Sequence, residues 1–330
     1  MATKLKFGLL LPHFGDQASF RKILDGARKA EEYGFDSVWV RDHLIFEPHG
    51  MEGQDNTHYE CFITLAAIAA VTKRITLGTG TIIAHRHPIY GAQVFATLSQ
   101  LSGGRVICGV GQGTFAGEFK AAGLPSTAED RFGLIKESVM VMRRLWSEGQ
   151  VTHQGQYYRF DNVEIRPRPV HEIPIWYGGS SPASCRRAVD YCDGWMPGRI
   201  PLTTFSKLVN YLGEQCQKNG REMLTTGAIP ITSVAHDREA SLRDVNVAAL
   251  VNEGNTNRPW WVKPESGTFS KIEDIEGMFL WGTPNDIAAV TRKYEEAGLN
   301  HIVYDLRFRF ADWDEQVDLL GKEVLPQLRG

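Results

Sequence analysis

No run in this 330-residue chain approaches the roughly 18 consecutive apolar residues that a membrane-spanning helix needs. Cysteine is sparse: Cys61, Cys108, Cys185, Cys192 and Cys216 stand far apart, with no CxxC or CxH spacing to suggest a zinc site. An odd number of scattered thiols predicts reduced, packing cysteines in a cytoplasmic protein. No excess of basic charge is present, and a net charge of −3 argues against nucleic acid or an anionic membrane as a bulk partner. A secretory leader is not expected either, because Lys4 and Lys6 lead straight into Phe7-Gly8-Leu9-Leu10-Leu11, too short for a signal core. The dinucleotide fingerprint also fails. Gly111-Gln112-Gly113-Thr114 begins like GxGxxG, but Ala116 stands where the third glycine belongs.

What is present is a regular alternation of strand and helix. Strand 6–11 precedes helix 19–33, which carries Phe20, Ile23, Leu24, Ala27 and Ala30 on one face and ends at Gly34. Strand 37–41, helix 59–71, a glycine-bearing strand over 74–82, helix 88–101, strand 105–110 and helix 129–146 continue the pattern. Residues 151–160 read as a hairpin around Gly155. Strand 173–177, helix 182–190, a short strand near Trp195 and helix 203–218 then resume the rhythm. Strand 227–234, helix 237–251, helix 283–297, strand 300–306 and a closing helix 313–328 complete it. About eight strand–helix units with no linker-like stretch predict a single α/β domain over 1–330, a (β/α)₈ TIM barrel. Insertions are expected near 45–58, 150–162 and 252–275; a doubly wound open sheet is the alternative.

Barrel enzymes keep their chemistry at the C-terminal strand ends. Ser37-Val38-Trp39-Val40-Arg41-Asp42-His43-Leu44 is a buried-looking strand ending in a carboxylate and an imidazole. Neighbours on an extended segment diverge, so Asp42 and His43 cannot form a dyad with each other. His43 is suited to exchange a proton near neutrality, though a polar strand end that merely caps the next loop fits the same residues. Gly78 and Gly80 inside a strand mark a bulge or a close backbone approach. Gly178-Gly179-Ser180 follows a strand and opens a helix, where bare amides and small residues suit a phosphate, with Ser180 and Ser181 as hydroxyl donors. His85, Arg86 and His87 have no carboxylate or cysteine near them in sequence to complete a metal site, and none is expected. Arg86 is read instead as a partner for an anionic group. His49, Met51 and His58 in the first insertion, and Trp260 and Trp261 in the last, sit where barrels gate their mouths; core packing is the other reading of the tryptophans.

Taken together, Gly34-Phe35-Asp36-Ser37-Val38-Trp39-Val40-Arg41-Asp42-His43-Leu44, Arg74-Ile75-Thr76-Leu77-Gly78-Thr79-Gly80, His87-Pro88 and Leu101-Ser102-Gly103-Gly104-Arg105 resemble one family. Gly109-Val110-Gly111-Gln112-Gly113, Leu145-Trp146, Pro174-Ile175-Trp176-Tyr177-Gly178-Gly179-Ser180 and Asp193-Gly194-Trp195 continue the resemblance in order. It is the bacterial-luciferase-like superfamily, whose members are (β/α)₈ barrels using FMN or the deazaflavin coenzyme F420. The Asp-His pair resembles the F420-dependent branch more than the luciferases and alkane monooxygenases, which tend to carry Glu-His.

The resemblance implies several roles. Asp42 would hydrogen-bond the ring edge and His43 would face the substrate. Thr79, Gly80 and Thr81 would lie behind the ring, with a non-prolyl cis peptide at Gly80–Thr81. Gly111, Gln112 and Gly113 would lie beside the ring, and Gly178, Gly179 and Ser180 would hold the phosphate. The implied activity is hydride transfer between F420 and a small organic substrate. The alternative is an FMN-dependent two-component monooxygenase supplied by a partner reductase. Dimerisation through early helices is a further implication. An F420-dependent sugar-phosphate dehydrogenase of this branch carries a catalytic glutamate directly after the second glycine, where this chain has Thr114. It has a tryptophan four residues after the histidine, where this chain has Glu47; both departures argue against that substrate. Arg86, Arg166, Arg168, Arg186 and Arg187 are candidates for the coenzyme's anionic tail.

Overall fold

A computed structural model describes residues 4–48, 52–256 and 258–330. Eight parallel strands close into a barrel: Lys6–Leu10, Ser37–Val40, Thr76–Thr79, Val106–Gly111, Ile175–Gly178, Gly194–Met196, Thr225–Ala228 and His301–Asp305. Closure is made by the first strand, which pairs Gly8 with Ser37 on one side and Lys6 with His301 on the other. The open-sheet alternative is thereby excluded. Helices on the outside cover the apolar outer positions. The helix Phe20–Tyr33 shows how local chemistry sets the spacing. Ser19 caps its start by accepting from the Lys22 amide, and Gly34, at φ 83°, ends it by donating to the Ala30 and Glu31 carbonyls. The second strand begins three residues later.

The barrel interior is filled by side chains. Trp39 is fully buried between Gly8 and Gly78; a Cβ on Gly78 would lie 2.4 Å from the indole. The indole N–H donates to Ser37 Oγ at 2.7 Å, and the Ser37 hydroxyl then donates to His301 Nε2 at 2.6 Å. Burial pushes His301 down to about 3, so this imidazole stays neutral and accepts.

Several expectations are refined. Strand 227–234 is two strands, Thr225–Ala228 and Ile231–Val234, because Pro230 between them has no amide for a continuous ladder. Ile231–Val234 leaves the barrel to pair in parallel with Phe279–Gly282, a strand the sequence pattern concealed. Helix 237–251 is broken into Arg238–Ser241 and Val247–Gly254. The short strand Ile82–Ile83 and the helix Ala116–Ala121 are also additional. The hairpin is present as antiparallel Val151–Gln154 and Arg159–Val163. Trp260 and Trp261 do not line the mouth. Trp261 is 4 % exposed, packs on Phe269 and lies beneath Arg258, while Trp260 packs against the core. His49 and Met51 lie outside the described residues. Among the described residues no helix is long and apolar enough to cross a membrane.

Candidate active site

A cavity of about 320 Å³ opens at the C-terminal mouth, and every strand from the second to the eighth is followed by residues that line it. Arg41, Asp42 and His43 follow the second strand, Gly80, Thr81 and Ile83 the third, and Gly111 to Thr114 the fourth. Gly178, Gly179 and Ser180 follow the fifth, Gly198 and Arg199 the sixth, Ile229 the seventh and Arg307 the eighth. Nearly all of the expected site residues therefore meet in one place, brought there by barrel closure.

Thr79 is the exception. It is wholly buried, its hydroxyl donates to the Gly109 carbonyl at 3.0 Å and accepts from the Gly109 amide at 2.9 Å, and it does not line the cavity. Its role is to clamp the third strand to the fourth. A Cβ on Gly109 would fall 1.9 Å from the Thr79 carbonyl oxygen, which is why that position tolerates only glycine. The Gly80–Thr81 peptide is cis, at the bond the resemblance indicated. Thr81 is packed by glycines: a Cβ on Gly111 would lie 2.3 Å from its Oγ1, and one on Gly178 would lie 2.7 Å from its Cγ2. The cavity floor is thus a surface of backbone and small groups.

Asp42 lines the cavity, but its carboxylate is engaged. It accepts from Arg86 at 3.0 and 2.7 Å, from the Ile83 amide at 3.2 Å and from the Cys61 thiol at 3.4 Å. Burial alone would raise its pKa; the Arg86 guanidinium outweighs that and holds the carboxyl below its usual range. Arg86 also reaches Glu60 at 2.7 Å, so its assignment to an external anion is corrected. Asp42, Glu60 and Cys61 bring metal-type donors together, and the guanidinium already supplies the cation they share. His85 lies 3.8 Å from Asp42.

His43 is held from the other side by Glu118, a contact that chain position alone did not reveal. A carboxylate can only accept, so His43 carries its hydrogen on Nδ1 and donates to Glu118 at 3.3 Å. Glu118 also accepts from the Leu44 amide at 2.8 Å. Burial raises its pKa, and the hydrogen bond from His43, its charge and the two loop amides together bring it below the ordinary value. Beyond His43 lie His58, pushed down to about 4 chiefly by burial, and His13. His13 accepts from the Arg41 amide at Nε2 and donates to the Leu11 carbonyl, and burial keeps it neutral.

Ser181 does not line the cavity; its hydroxyl caps the helix Pro182–Tyr191 by accepting from Ser184. The five arginines considered for an anionic tail do not converge. Arg166 pairs with Glu164, Arg168 bonds carbonyls of Ser147 and Glu148, Arg186 reaches Tyr211, and Arg187 lies on Phe132. Three others do: Arg41, Arg199 and Arg307 line the mouth, with no sequence signal linking positions so far apart.

Comparison with known proteins agrees with this geometry. The sequence profile of the luciferase-like monooxygenase family matches residues 5–301. An F420-dependent glucose-6-phosphate dehydrogenase of Nakamurella multipartita is 31 % identical over 96 % of both chains. An F420-dependent hydroxymycolic acid dehydrogenase of Mycobacterium tuberculosis is 29 % identical over 98 % of this chain and 88 % of its own. Among solved structures, an F420-dependent secondary alcohol dehydrogenase in complex with an F420-acetone adduct superposes with a TM-score of 0.83 over 99 % of this chain at 23 % identity.

Proposed function

Because the chain belongs to the luciferase-like monooxygenase family, we propose that it is an oxidoreductase that binds coenzyme F420 at the barrel mouth and exchanges hydride with a small organic substrate. The observation that carries this reading is the mouth itself, where glycine-lined backbone and a carboxylate-held imidazole share one cavity. The residues suit the coenzyme. Gln112 Oε1 is buried in the lining without a partner among the described residues, an acceptor that a ring N–H would satisfy. Gly178, Gly179 and Ser180 present small groups at the approach to a helix start, where a phosphate is favoured. When bound, F420 supplies the hydride chemistry at its C5. His43 moves the accompanying proton through Nε2, with Glu118 fixing its tautomer. Thr114 and Glu47 stand where the sugar-phosphate dehydrogenases carry glutamate and tryptophan, so we read the substrate as something other than a sugar phosphate.

We place the protein in the cytoplasm, consistent with five free and buried thiols. We read it as a homodimer joined through early helices, where Ile63 and Tyr90 are exposed. The test is a pair of fluorescence titrations, with F420 and with FMN in both redox states, on the wild type and His43→Ala. We expect F420 to bind to both proteins, and turnover of the variant to fall about a hundredfold or more. Tight binding of reduced FMN alone would make this an oxygen-using monooxygenase served by a reductase.

A further inference from the structure

Arg41, Arg199 and Arg307 line the wall of the cavity that also contains His43. Arg307 pairs with Asp305 and with Glu52, and Arg199 pairs with Glu253 at 3.5 Å. Arg41 is different. It is 8 % exposed, seated over the Phe14 ring at 3.7 Å, and gives only Nη1 to Glu52, at 2.8 Å. Its Nε and Nη2 are buried without partners among the described residues. Those two atoms form the side-on edge of the guanidinium, two parallel N–H groups spaced to meet two oxygens of one planar anion. A buried charge-bearing donor pair left unsatisfied costs free energy, and in a residue that lines the cavity that cost is relieved by an anion that reaches the pair.

The charge balance narrows the choice. Three guanidiniums face three carboxylates, Glu52, Asp305 and Glu253, so the cluster is close to neutral before any ligand arrives. A dianion would be overcompensated there; a monoanion is matched by the one unused edge. Burial, followed by repulsion from Arg307, lowers Arg41 to about 10, as expected of a cation wanting an anion.

We propose that Arg41, supported by Arg199 and Arg307, is a carboxylate-binding subsite, and that the substrate of this enzyme is a hydroxy acid or the matching oxo acid: the reacting carbon exchanges hydride with F420, the oxygen on it exchanges its proton with His43, and the carboxylate is held by the Arg41 fork. The proposal rests on the function read above, and its test separates the two. Binding of benzoate and of benzamide, which share a shape and differ in charge, is measured by calorimetry on the apo protein and on the protein loaded with F420. Benzoate should bind at least about tenfold more tightly than benzamide, by the usual strength of a charge-assisted fork over a neutral contact. Arg41→Met and Arg199→Gln should each reduce that preference, and Arg41→Lys, which keeps the charge and loses the fork, should restore only part of it. Circular dichroism melts confirm that each variant is folded. Equal binding of the two probes, or a preference that survives in both Arg41→Met and Arg199→Gln, overturns the assignment. The coenzyme's own tail is also carboxylate-bearing, and tail-less deazaflavin distinguishes it. If Arg41→Met weakens F420 but not the tail-less form, the edge belongs to the coenzyme and the substrate assignment falls. If neither deazaflavin binds, the coenzyme reading fails while the benzoate comparison on apo protein still decides the subsite.

Discussion

Replacing Arg86 by methionine should expose how the base of the site is held. Asp42 is 1 % exposed and takes two hydrogen bonds from this guanidinium, at 3.0 and 2.7 Å. Without it the carboxylate keeps only the Ile83 amide, the Cys61 thiol and a distant His85. Stranding one partner of a buried pair costs about 3–5 kcal/mol. With 330 residues and an unfolding entropy of about 2.1 cal/mol/K for each, the melting temperature should fall by about 4–7 °C. The pH dependence adds a second constraint. Wild-type Asp42 has its folded pKa below the ordinary value, so its contribution is present above the unfolded pKa of about 3.9 and is lost as pH falls through the folded one. In Arg86→Met only burial remains to act strongly, the carboxyl titrates higher, and protonation relieves the stranded charge. The gap between the two proteins should therefore narrow in acid. Asp42→Asn should cost less, because Arg86 keeps Glu60 and is partly exposed. The double variant should be more stable than Arg86→Met alone. Calorimetric melts at neutral and acid pH measure all of these. An unchanged melting temperature, or a gap of constant size at every pH, would refute the reasoning.

Two other substitutions probe the ligand side. Ser180→Asp sets a carboxylate into the anion-favouring turn after the fifth strand, and F420 affinity should drop at least about tenfold while the fold is kept; undiminished binding removes that turn from the coenzyme site. Glu118→Gln should leave coenzyme affinity intact and lower turnover by about tenfold to a hundredfold, since His43 loses the carboxylate that orients it. Because the Glu118 carboxyl is held below its ordinary value, its stabilisation is present above about pH 4.3 and is lost in acid. The acid limb of the stability curve should be flatter in the variant, and an identical limb would mean that Glu118 does not titrate differently on folding.

The barrel was legible because its signals are local. Helical spacing over 20–33, the stop at Gly34 and the apolar run after it need no knowledge of distant residues. Glycines at 178 and 179 are recognisable as places where backbone is bared, Gly111 is indicated by the resemblance, and all three line the cavity. Failures came where an element depends on what it meets. Phe279–Gly282 is a strand only because Ile231–Val234 turns out of the barrel to pair with it, a turn set at Pro230. Thr79 has the right chain position for the site, yet its hydroxyl faces the neighbouring strand. Asp42 lines the mouth, as its place at a strand end suggests, while the sequence does not show that Arg86 is its partner, because ion pairs across a bulged loop leave no periodic trace. The cluster of Arg41, Arg199 and Arg307 joins residues more than a hundred positions apart and exists only once the eighth strand closes on the first.

The indole inside the barrel has a bearing on how this chain can diversify. Trp39 occupies space that Gly8 and Gly78 vacate from two neighbouring strands, and its N–H is the start of a hydrogen-bonded chain through Ser37 to His301. None of these positions can drift alone: a methyl group added at 8 or 78 collides, and a smaller residue at 39 leaves a void and takes away the indole donor of Ser37. The collisions and the void tie them together, and they should behave as one heritable block. Relatives with alanine at either glycine are expected to carry a smaller side chain in place of the tryptophan, and transplanting one member of the set between such lineages should fail where moving the whole set succeeds.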